Sequence, residues 1–98
     1  MLTNEAFSGY AKMRLDFLLE NSPELVREME EDGSLSTHLE DVQKAVNERR
    51  SELEPILMQE LGATEELKSS DWGTWYSKAS AAQMRAREMA IGEVVEAR

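Results

Sequence analysis

His38 is the only histidine in the chain. Imidazole is the side chain best suited to move a proton near neutral pH or to hold a metal. It stands beside Leu39, with Asp41 three residues on. One carboxylate at that spacing is a single companion, whereas a closed metal site takes about four donors. Catalysis would need further converging groups. The chain shows no Ser–His–Asp order worth naming, no Gly-rich phosphate loop and no His-Glu-x-x-His. Its carboxylates come as sequence neighbours: Glu30-Glu31-Asp32, Glu40-Asp41 and Glu65-Glu66. Adjacent helical residues point about 100° apart, so such pairs do not meet at one point. With no cysteine, thiolate metal sites and disulfide frameworks are excluded. We therefore expect no catalytic residue, no metal and no cofactor, with His38 a partly buried packing or capping residue.

Charge narrows the partners. The net charge is −9. Residues 1–62 hold 14 acids and 6 bases, and residues 63–98 hold 6 acids and 5 bases, so the first part carries the excess. Acids cluster at Glu28, Glu30, Glu31 and Asp32, and again at Glu40 and Asp41. Such a surface repels a phosphate backbone and attracts a basic protein, although acids also serve simply to solvate helix faces. The stretch from Pro23 through Gly33 into the next helix has the outline of a helix-turn-helix. Its second helix would present Ser36, Thr37, Glu40, Asp41 and Lys44, and two acids facing a groove oppose binding. Lys78, Arg85 and Arg87 are too few to make a basic patch. Direct nucleic-acid binding is therefore not expected.

The elements that carry these residues are helical. Apolar residues recur at three- and four-residue steps, and no strand alternation is present. Thr3 or Asn4 can cap a first helix reaching about Leu19, with Phe7, Tyr10, Arg14, Phe17 and Leu18 on one stripe. Gly9 weakens that helix by roughly 1 kcal/mol relative to Ala. Ser22-Pro23-Glu24 restarts the chain as a short second helix, with Ser22 as cap and Pro23 in the first turn. Gly33 suits the left-handed position that ends it. A long helix then runs from about Leu35 to Leu61. Its stripe is Leu35, Leu39, Val42, Val46, Arg49, Leu53, Ile56 or Leu57, and Leu61, and Pro55 is expected to kink it. Gly62 stops this helix and Thr64-Glu65-Glu66 restarts the chain. The last long segment, Asp71–Val95, has the inner stripe Trp72, Trp75 or Tyr76, Ala79, Ala82, Ala86, Met89 or Ala90, and Val94. The short connection makes the two long helices antiparallel.

The expected fold is thus all-α, a small bundle of two long antiparallel helices with a shorter N-terminal helical pair, and residues 1–98 read as one domain. No run approaches the roughly 20 apolar residues needed to span a bilayer. The start, MLTNEAFSGYAK, is not a secretory signal, so a cytoplasmic protein with no membrane partner is expected. Three large rings, Trp72, Trp75 and Tyr76, compete for one level of a small bundle, so one of them should be exposed and mark a contact surface. Trp72, Trp75 and Tyr76, with Lys78 and Arg85, are the candidate partner-binding residues. The short helices leave part of the long seams uncovered. A twofold partner would bury that remainder most simply, through Ala79, Ala82 and Ala86, although a charge of −9 opposes self-association.

The order of several segments carries a family resemblance. They are Met13-Arg14-Leu15, Leu18-Leu19-Glu20-Asn21-Ser22-Pro23-Glu24-Leu25 and Gly33-Ser34-Leu35-Ser36-Thr37-His38-Leu39. Downstream come Leu61-Gly62-Ala63-Thr64-Glu65-Glu66-Leu67-Lys68-Ser69-Ser70-Asp71, then Trp75, Gln83-Met84-Arg85-Ala86-Arg87-Glu88-Met89 and Glu93-Val94-Val95. Over roughly residues 12–95 the chain resembles the transposon-encoded TnpV proteins. That resemblance implies a non-enzymatic accessory role on a mobile element, assisting or regulating excision or transfer through a protein partner. It supplies no catalytic residue. The alternative that acidity and small size suggest is a mimic of nucleic acid that occupies the basic groove of a nuclease or another DNA-binding protein.

Overall fold

The computed structural model describes residues 9–97. The chain forms α1 (Gly9–Asn21), α2 (Pro23–Asp32), α3 (Leu35–Leu61), α4 (Glu65–Ser70) and α5 (Trp72–Ala90), and a π-helical segment, Ile91–Val95, continues α5. No strand occurs among the described residues, and the fold is all-α. The expected caps at Thr3 or Asn4 and the stripe residue Phe7 lie outside the described residues.

Local chemistry sets most of the boundaries. Gly33 has φ of 80° and Gly62 has φ of 82°, the left-handed conformation that costs glycine little and other residues more. At the first turn the Gly33 and Ser34 amides both donate to the Met29 carbonyl, and Ser34 N also donates to Asp32 Oδ1 at 2.8 Å. Thr64 caps α4 as expected, its hydroxyl accepting from Leu67 N at 3.2 Å. Ser22 does not cap with its side chain. Its ψ of 60° departs from the extended backbone that aims a capping hydroxyl at the first turn. Its carbonyl serves instead, accepting from Leu25 N and Val26 N. α3 continues as helix through Pro55, whose missing N–H leaves the exposed Ser51 carbonyl without its helical donor.

The chain divides into two compact units, one of Met1–Val46 with Ile91–Arg98 and one of Asn47–Ala90. In the first, Ala11, Leu15 and Leu18 of α1 join Val26 of α2 and Leu35 and Leu39 of α3 in one apolar cluster, with Phe17 and Met29 against it. The α1 stripe therefore differs from the expected one by its inclusion of Ala11 and Leu15. Gly9 opens α1 at φ of 61°, and the next turn is tied to α3 by Ala11 N donating to Gln43 Oε1 at 3.1 Å.

In the second unit, Leu53 and Leu57 of α3 pack with Ala82 and Ala86 of α5, flanked by Met58 and Leu61. Lys78 of α5 reaches the Leu61 carbonyl, while Arg50 and Glu54 share a groove with Gln83, Met84 and Arg87. Later residues of α5 thus lie beside earlier residues of α3, and the two run antiparallel here. Leu57 takes the inner position and Ile56 is exposed. Ala79, Ala82, Ala86 and Ala90 are all buried within the chain, so the alanine face is not open for a twofold partner. The reason is steric. Methyl side chains let the Leu53 and Leu57 side chains close directly on α5. Ala81, one residue away, faces solvent.

This contrast yields a test. Ala82→Glu buries a carboxylate with no room and no partner and should lower stability by several kcal/mol. Ala81→Glu should change it by less than about 0.5 kcal/mol. Urea titrations followed by far-UV circular dichroism compare the two, and equal midpoints would mean the alanine seam is not a packed interface.

Candidate functional site

His38 lies half-buried on the first turns of α3, where it accepts a hydrogen bond at Nε2 from Arg14 Nε at 3.2 Å. Arg14 is buried, 8% exposed, in the α1 stripe. Its Nη1 donates to the Val95 carbonyl at 2.7 Å and also to the Ala97 carbonyl. Its guanidinium stands 5.6 Å from the centroid of the Phe17 ring. Burial draws the Arg14 pKa down from its ordinary value. The His38 pKa is also lowered, first by burial and then by the Arg14 charge, with Asp41 pulling in the opposite direction. A neutral imidazole that accepts from a guanidinium is a structural partner, engaged on one nitrogen. No group of three His, Asp or Glu side chains that could hold a metal occurs among the described residues.

The sequence-derived partner residues separate into a cluster and two outliers. Trp72 and Tyr76 stack at 5.1 Å between centroids with 23° between planes, and Trp75 tilts at 40° against Trp72 at 6.4 Å. The spacing of three and four residues on the first turns of α5 brings the rings to one side. Trp72 is 57% exposed and Tyr76 55%, while Trp75 is half-buried. Trp72 and Tyr76 therefore do not extend the inner stripe. α3 ends level with Lys78, as the hydrogen bond from Lys78 to Leu61 shows, so the rings project past that end with the short α4 beside them. Lys68 of α4 sets its ammonium 4.8 Å from the centroid of the Trp75 ring. Sequence reasoning missed Lys68; a lysine four residues into the short helix before an aromatic cluster was the available signal.

Lys78 does not join this cluster. Its ammonium donates to the Leu61 carbonyl at 3.1 Å and closes the C-terminal end of α3. Arg85 is exposed, roughly 13 Å further along α5 than Tyr76 at 1.5 Å per residue. The start of α5 is fixed by Asp71, which accepts from Thr74 N at 3.2 Å and from the Thr74 hydroxyl at 2.6 Å. Those bonds hold the Asp71 carboxyl below its ordinary pKa and give the helix a negative charge at its positive end.

Burial of His38, with the Arg14 charge beside it, makes stability depend on pH. A histidine with a depressed pKa in the folded state leaves the unfolded chain binding more protons, so stability is lost as pH falls through the unfolded value of about 6.5. The wild type should melt at lower temperature at pH 5.5 than at pH 7.5. His38→Gln keeps an acceptor for Arg14 without the titration and should show a smaller drop. Parallel melting curves with equal drops in the two proteins would remove His38 from the account.

No described helix is long and apolar enough to cross a membrane. No curated protein and no solved structure matches the chain. A family match covers residues 2–95, nearly the whole chain, and its family is described as transposon-encoded protein TnpV. The segments that carried the resemblance now have structural roles: Arg14 buried, Ser22-Pro23 at the α1–α2 turn, Gly33 and Gly62 in left-handed turns, and Thr64 and Asp71 as caps. The chain belongs to the family of transposon-encoded TnpV proteins, and so to the proteins associated with mobile elements.

Proposed function

We propose that this protein is a non-enzymatic accessory or regulatory factor of its mobile element, acting in the cytoplasm by binding another protein through the aromatic start of α5. The observation that carries this reading is the stacked pair Trp72 and Tyr76, both more than half exposed in a 98-residue chain. Two large rings held in register by one helix turn are costly to leave in water and form a rigid apolar contact surface. Trp75 beneath Lys68 extends it with a cation at its edge. Aromatic anchors of this kind dominate the energetics of protein interfaces. The one histidine is engaged with Arg14, which favours a binding role over proton-transfer chemistry.

The reading is tested in a host that carries the element. Tagged wild-type protein should recover a specific element-encoded protein by affinity capture and mass spectrometry, and retain it at high salt because the contact is apolar. Trp72→Ala/Tyr76→Ala should lose that protein while keeping its helical circular dichroism, since both rings are exposed. Capture of a nuclease or another DNA-binding protein that salt releases, with no loss in the aromatic variant, would support the acidic-mimic alternative and overturn this reading.

A further inference from the structure

A groove of about 410 Å³ runs along the first unit, away from the aromatic cluster in sequence and in composition. One wall is α1, which supplies Met13, Asp16, Phe17 and Glu20 at helical spacing. The other is the π-helical segment and its end, which supply Ile91, Val95 and Glu96. The floor is apolar, with Met13 37% exposed and Phe17 and Ile91 half-buried. Carboxylates stand on the rim from both walls, Glu20 on α1 and Glu96 beyond Val95. Arg14 fixes the two walls together: its guanidinium lies against the Phe17 ring and binds the Val95 carbonyl. A buried clamp therefore sets the spacing of the two walls.

We propose that this groove docks a cationic amphipathic helix of a partner protein. Two observations choose that occupant. The α1 wall presents the apolar Met13 and Phe17 four positions, or roughly 6 Å, apart, with the Glu20 carboxylate one turn beyond, which matches apolar anchors one helical turn apart with a basic residue beside them on an incoming helix. The rim is acidic on both sides, so lysines or arginines flanking those anchors meet Glu20 and Glu96, whereas an acidic helix is repelled. The proposal stands apart from the role given to Trp72 and Tyr76, which lie in the other unit.

The test uses the full chain and three labelled synthetic peptides of about four helical turns. One carries leucine at i, i+3, i+4 and i+7 with lysine on the flanks. The second replaces lysine by glutamate, and the third keeps lysine but replaces leucine by serine. Fluorescence anisotropy should show binding of the first alone, weaker at higher salt. Glu20→Lys/Glu96→Lys and, separately, Met13→Asp should each weaken it about tenfold or more, and both change exposed residues. Glu30→Lys/Glu31→Lys on α2 should leave it within about twofold, and so should Trp72→Ala/Tyr76→Ala. That last variant separates failure here from failure of the aromatic surface. Equal binding of the first two peptides, or equal weakening by the α2 and groove reversals, would overturn the proposal, the latter because it reports diffuse attraction to an acidic chain. A dimer by light scattering that Met13→Asp dissociates would assign the groove to a second copy and overturn it as well.

Discussion

The first unit depends on a buried cation. Arg14 stands in an apolar stripe, where a guanidinium without partners would cost several kcal/mol. It is accommodated because each face of it is used. One nitrogen serves two backbone carbonyls near the chain end, another serves His38, and the plane lies near the Phe17 ring. Those carbonyls need a donor. The π-helical turn spaces its own hydrogen bonds five residues apart, as in Glu96 N to Ile91 O, and the last carbonyls of any helix have no donor from within it. Arg14 thus satisfies polar groups that the fold would otherwise bury or expose at a cost. The same contact adds to burial in lowering the His38 pKa.

The second unit is organised by size more than by charge. Alanines at 79, 82, 86 and 90 form a smooth strip, and the leucines of α3 close on it. Lys78 then performs at the end of α3 what Arg14 performs for the π-helical turn, bringing a cation to a terminal carbonyl. Because α3 stops there, the first turns of α5 have no long helix to cover them. The exposure of Trp72, which stands seven residues before the buried Ala79, follows from that, whereas Tyr76 shares its side of α5 with the exposed Gln83 and would face water further along as well.

Much of this was legible locally. Gly33, Gly62, Thr64 and Pro23 act on the backbone within a few residues, so their effects can be read from the sequence. The alternation of three and four along α3 gave its buried face, apart from the choice between Ile56 and Leu57. What could not be read were contacts between distant residues. Arg14 fell on the α1 stripe, yet nothing near it in sequence shows that its partners are Val95 and Ala97. The alanines signalled close approach of a helix but not whose, and the expected answer, a second copy, differs from the observed one, α3 of the same chain. Lys78 looked like a surface charge because a carbonyl acceptor leaves no trace in a sequence. At Ser22, residue type suggested a side-chain cap, and the local dihedral angles decided against it.

The hydrogen bond between Arg14 and Val95 joins residues 81 positions apart. The second unit is one continuous stretch, Asn47–Ala90. The first unit is completed only by the stretch that follows. During synthesis α1 therefore emerges well before residues 91–97, and its buried arginine has these carbonyls to bind only once that stretch has been made. Closing that separation carries a loop entropy that the contacts within the continuous second unit do not.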